Sequence, residues 1–196
     1  MDFEPFTVDM VRLAHVFTVA CGLGGAIATD VFVLKNLKTP LTEQSIQTIK
    51  FFHVLIGIVL IPLWISGLLL VYIKTGFELA QFTPKLSFKL MIVSVLTANG
   101  LLLGPTAISM IQSNCGSKVV DFEALQLLVF AFFGATSATC WLLALSFGIV
   151  KLLAVSSYEL LVALTAITWA TMFFSISLGL LSMRNLERWA AIRARA

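Results

Sequence analysis

Charge is the scarcest commodity in this chain. Of 196 residues, 13 are Lys or Arg and 10 are Asp or Glu, together 12%, against 59% hydrophobic residues. That is far too little charged surface for a soluble domain of this length, so composition alone indicates a membrane protein. Cysteine is nearly absent too. Cys21, Cys115 and Cys140 form no CxxC pair, which argues against a disulfide-exchange enzyme. Acidic residues are too sparse for a hard-metal cage, and no HExxH, Walker loop or nucleophile elbow occurs. The opening MDFEPFTVDM lacks a basic n-region and a small-residue cleavage site, so the first apolar helix is expected to be retained. A net charge of +3 reads as a topology signal, and nucleic acid binding has no support.

What the chain does have is long apolar runs. A hydrocarbon core needs about 20 apolar residues per helix. Five segments qualify: 11–34, 51–73, 86–111, 125–150 and 157–182. They do not alternate with period two, which excludes a barrel. The expected fold is all-α, a single domain over 1–196, a bundle of five transmembrane helices in a lipid bilayer.

Basic residues set the expected orientation. Arg12, Lys74, Lys85, Lys89 and Lys151 fall on the face of the N-terminus and loops two and four. Lys35, Lys38, Lys50, Lys118, Arg184, Arg188, Arg193 and Arg195 fall on the other face. The expectation is N-terminus outside, C-terminus cytoplasmic. In loop one, Thr42 is expected to precede a short amphipathic helix. Gly76 should stop the second span, and Pro84 should stand near the start of the third. Loop four, around KLLAVSSYE, is short, so the last two spans should be antiparallel neighbours.

Helical wheels place His15, Gly22, Ala26 and Asp30 on one side of the first span, a small and polar side expected to face other helices. Gly22 and Ala26 form a small-xxx-small step that lets a neighbouring backbone approach. In the second span His53, Gly57, Leu60, Trp64 and Gly67 share a face. In the fifth, Thr165, Thr168, Met172, Ser175, Gly179 and Ser182 form a seam suited to helix packing.

Depth sorts the ionisable groups into two layers. His15 lies about 10 Å to the outer side of the midplane, with Lys89 at similar depth and Tyr72 further out. Glu159 is a further candidate for this outer layer. Asp30 and His53 lie about 12–13 Å to the inner side. Asn99 sits between the layers. The inner pair could form an Asp–His hydrogen bond suited to a proton relay; it could equally be an interfacial histidine, with Asp30 paired to Lys35 or Lys50. The two histidines are too far apart along the membrane normal to ligate one iron.

Three stretches carry a family resemblance. VRLAHVFTVACGLGG places a histidine early in the first span, HVLIGIVLIPLWISGLLLVY ends in a Ser-Gly step, and PKLSFKLMIVSVLTANGLLLG opens with a Pro and a Lys. This order resembles small bacterial membrane families: the copper-resistance D-type domain, the haem-containing membrane protoporphyrinogen oxidase and relatives of similar size. The likeness covers the first three spans. It implies a bundle in the bacterial inner membrane and, for the oxidase branch, b-type haem, with His15 matching the first-helix histidine and Lys89 the third-helix lysine. Where that pattern carries a second histidine in helix three, this chain has Asn99 and Gly100. Where it carries an arginine late in helix one, TDVFVLK stands instead.

The leading expectation is therefore an inner-membrane protein that binds a redox cofactor, haem b, and passes electrons or protons. His15 is the candidate haem or metal ligand, and Lys89 would engage a propionate or a quinone. Asn99 and Tyr72 complete the candidate cofactor-binding set. Asp30 and His53 are the candidate catalytic, proton-handling pair. Two alternatives stand beside it: a proton- or metal-ion-coupled transporter, and a non-catalytic subunit docking partner helices in a homo- or hetero-oligomer, with a redox protein among the conceivable partners.

Overall fold

The computed structural model describes residues 4–150 and 156–194. Lys151, most of loop four and Arg195 lie outside that range. Among the described residues there is no strand, and five helical spans are long and apolar enough to cross a membrane. They are α1 (Pro5–Asn36), α2 (Glu43–Thr75), α3 (Pro84–Leu103) continued by a π turn (Gly104–Ile108) and α4 (Ser109–Ser113), α5 (Ala124–Ile149) and α6 (Tyr158–Arg193). The expected all-α, five-span membrane bundle is what the chain forms.

Local chemistry sets the helix ends. Pro5 opens α1, and its missing N–H is no loss in a first turn. Thr42 caps α2 by accepting from the Ser45 N–H at 3.1 Å. Gly76, at φ +57°, closes it by donating its N–H to the Tyr72 carbonyl. Thr83 and Pro84 start α3, a reciprocal Glu123–Gln126 capping box starts α5, and Ser157 caps α6. The short amphipathic helix expected after Thr42 is not a separate element. No Gly or Pro occurs between Glu43 and Ile56, so it runs straight into the span and α2 begins at Glu43.

The chain packs as a series of antiparallel neighbours: α1 on α2, α3 on α5, and α5 on α6, as expected for the last two. α5 is the central rod and also touches α1. In lipid, tight van der Waals fit holds such rods together. The Gly22–Ala26 step on α1 shows how. Both residues are buried, yet a side chain fills the step where a backbone was expected. A Cβ at Gly22 would collide with Cη2 of the Trp141 ring.

Two apolar cores result. One, around Leu63, Phe88, Trp141 and Phe147, lies toward the N-terminal end of α1. The other, around Leu37, Ile46, Ile111, Val120 and Leu127, knits loops one and three into a cap at the opposite end. Backbone hydrogen bonds stitch that cap. Gly116 donates to the Leu41 carbonyl (2.8 Å), Leu41 to Ser117 (2.9 Å), and Val120 to Leu37 (3.2 Å). Glu187 of α6 reaches back to Lys38 (3.3 Å) and Lys118 (3.7 Å).

Candidate functional site

A polar side-chain contact joins α1 to α2 at His15. Its Nδ1 lies 2.9 Å from Ser66 Oγ on α2. The Ser66 hydroxyl has a single proton, and the Pro62 carbonyl lies 2.7 Å away to receive it, with Leu63 carbonyl at 3.2 Å. With that proton committed, Ser66 Oγ is an acceptor toward the ring. His15 then carries its proton on Nδ1 and keeps the Nε2 lone pair. Gly67 makes the approach possible, since a Cβ there would stand 3.3 Å from the ring's Cε1. The Ser-Gly step of the second span is thus a seat for an imidazole.

Lys89 of α3 is close enough for its charge to act on the His15 ring. Lys74 and Lys85 in turn are close enough for their charges to act on Lys89. Tyr72 is exposed on the same side and packs against Phe77 with ring centroids 5.4 Å apart. Glu159 is exposed in the first turn of α6. His15 and Lys89, placed in one layer from depth alone, lie near enough for their charges to interact.

The inner layer is different. Asp30 is exposed on α1, and among the described residues no hydrogen bond or charged neighbour acts on it. It therefore does not face the helices that cover Gly22 and Ala26, and it makes no hydrogen bond with His53. His53 is half-buried against α3, with its Nε2 3.4 Å from where a Cβ on Gly104 would lie. Gly104 opens the π turn. Pro105 has no N–H to give the Leu101 carbonyl, and the ladder resumes with Ser109 donating to Gly104, five residues back. His53 and Ser66 are thirteen residues apart on α2, about 20 Å of helix rise, so the two histidines stand at separate levels.

Asn99 is buried between α3 and α5. Its Nδ2 donates to the Phe133 carbonyl at 3.3 Å, while Oδ1 has no partner among the described residues. Thr139 Oγ1 and Trp141 Nε1, both on α5, are likewise buried without one. Sequence reasoning passed over this α5 stretch, although the TSATCW run in a span was a visible signal. Trp64 is tied to α3 by its Nε1–H donating to Thr97 Oγ1 at 2.9 Å.

Among the described residues no three His, Cys, Asp or Glu side chains cluster closely enough to hold a metal ion. His15 would have to ligate as the one protein donor of a larger group such as haem. An imidazole oriented through one ring nitrogen, with its other nitrogen free, is the donor that would hold such a group. Comparison of the chain with protein-family models, with characterised proteins and with solved structures finds no match.

Proposed function

We propose that this is a bacterial inner-membrane protein that moves electrons or protons within the bilayer, with His15 as its working group. One observation carries the reading, the His15 Nδ1–Ser66 Oγ contact of 2.9 Å. A hydrogen bond to one ring nitrogen is how proteins orient an imidazole whose other nitrogen binds a metal or relays a proton. The lysines at positions 74, 85 and 89 suit a carboxylate or phosphate at the mouth. In this reading His15 Nε2 would hold haem b and Lys89 would engage a propionate, and the haem would supply one-electron chemistry. The N-terminus lies outside and the C-terminus in the cytoplasm, following the excess of Lys and Arg on the second face.

The test is the visible spectrum of detergent-purified protein. A Soret band that is lost in His15→Ala and shifted in Ser66→Ala supports the reading. A colourless wild type purified from haem-replete cells rejects the haem assignment.

A second reading, a membrane subunit that docks partner helices, is favoured by Asp30. A carboxylate facing hydrocarbon costs about 2.5–3.5 kcal/mol at the membrane centre and less at the depth of Asp30, and a covering helix with a donor removes that penalty. Ser175, Gly179 and Ser182 also lie exposed along α6, so the seam suited to helix packing is open there. In this reading Asp30→Asn releases a co-purifying partner, and an unchanged elution profile counts against it.

A further inference from the structure

α6 is 36 residues long, about 54 Å of rise against a hydrocarbon core of about 30 Å. Glu187 marks the level at which its final turns leave the span, because it pairs with Lys38 and Lys118 in the polar loops of the cap. Trp189 lies about 3 Å beyond Glu187 along the helix, and Ile192 about 7.5 Å. Trp189 is nevertheless 64% exposed, and Leu186 and Ile192 are exposed beside it. These three share one side of the helix, opposite Glu187. It is the side of Phe174 and Leu178, which are exposed on the span itself. The lipid-facing stripe of α6 therefore runs past the polar edge of the bundle.

The polar groups around the stripe change in step. Ser182 and Asn185 interrupt it, and Arg188 and Arg193 stand about 100° and about 40° from Trp189. Both arginines are exposed and in no ion pair among the described residues. Arg184, one turn before Arg188, is half-buried, and its Nε has no acceptor among the described residues. Glu187 is already held by two lysines. Three guanidinium groups at this end of α6 are thus left without a carboxylate among the described residues.

We propose that residues 184–193 form a docking arm for anionic phospholipid, with Leu186, Trp189 and Ile192 seated at the glycerol and upper acyl level and the arginines on the phosphates. An indole suits that level, where its ring meets oil and its N–H meets water. A guanidinium matches a phosphate with two parallel hydrogen bonds. A helix laid over the stripe would cover the apolar groups and crowd uncompensated positive charge. The headgroup layer of an anionic membrane takes both at once. The arm shares no residue with the His15 site, so the two readings fail or hold separately.

Native mass spectrometry of the detergent-purified full chain, titrated with phosphatidylglycerol and phosphatidylcholine of equal chain length, tests it. Phosphatidylglycerol should be retained in preference. Arg188→Gln and Arg193→Gln should each lower that preference about fivefold, the usual effect of one basic residue at an anionic surface. Arg12→Gln, at the other pole, should leave it unchanged. In nanodiscs, Trp189 emission is the difference between wild type and Trp189→Phe. It should be quenched by phosphatidylglycerol brominated near the top of its acyl chains, and little by aqueous iodide. Equal retention of the two lipids, or an equal loss in Arg12→Gln, overturns the proposal. Displacement of the lipid by inorganic phosphate at matching concentration overturns it as well, since the site would then be one for a free anion. Quenching by iodide but not by bromine places Trp189 in water and has the same force. A dimer that dissociates in Trp189→Ser would assign the face to a second copy and overturn the lipid assignment.

Discussion

The Trp141 indole of α5 rests on the bare Cα of Gly22 in α1. Trp141 is 2% exposed, and two further ring carbons, Cζ2 and Cζ3, would stand 3.0 and 3.2 Å from a Cβ at position 22. This seat joins the α1–α2 hairpin to the central helix. Replacing Gly by Ala inside a helix normally gains about 1 kcal/mol. At Gly22 the clash reverses the sign, since overpacking costs about 1–3 kcal/mol. Gly22→Ala should lower the thermal unfolding midpoint in detergent. Gly24→Ala, with nothing within 4 Å of the new methyl, should not.

His15 should be found with its proton on Nδ1 when neutral, because Ser66 Oγ is placed to accept it. Nitrogen NMR of histidine-labelled protein in micelles distinguishes the two tautomers. Ser66→Ala should mix them, leaving the His53 signals unmoved. A wild-type ring protonated on Nε2 would contradict the assignment.

The cap at the loop one and loop three end should owe its strength to apolar contact more than to charge. Ile46 is 2% exposed, so Ile46→Ala should cost about 2–5 kcal/mol. Glu187 faces Lys38 and Lys118 across 3.3 and 3.7 Å in a partly solvated setting, so Glu187→Gln should cost under about 1 kcal/mol. Denaturation midpoints of the two variants, compared at low and high salt, check both the ranking and the small salt dependence.

Cys115 offers a direct reading of orientation. It is exposed in the loop that follows α4, whereas Cys140 is buried in α5 and Cys21 lies within a span. A membrane-impermeant maleimide should label Cys115 in inverted vesicles and leave it unlabelled in intact cells. Labelling from outside the cell would reverse the proposed topology.

The spans were legible because hydropathy needs no knowledge of neighbours. The stops at Gly76 and the starts at Thr42 and Pro84 were legible because caps are local chemistry. The length of the second helix was underestimated where polar turns precede an apolar run, as at Glu43. Asp30 shows a deeper limit. A wheel reports that it shares a side with Gly22 and Ala26, yet whether a neighbour covers that side near residue 30 depends on where α5 crosses. The Trp141 seat and the unpartnered Thr139 hydroxyl are likewise products of contacts between distant segments, which spacing within one helix cannot encode. The π turn lies between the two: Gly104-Pro105 marks an interruption, and its widened form depends on Ser109 finding the Gly104 carbonyl.

The stitching of Leu37, Leu41, Gly116 and Val120 makes one pole of the molecule a dead end. A solute crossing from one aqueous phase to the other would have to extract Val120 and Phe122 from their sockets and tear several main-chain bonds at once. A ligand reaching the interior of this protein would therefore have to come from the membrane flank or from the opposite pole.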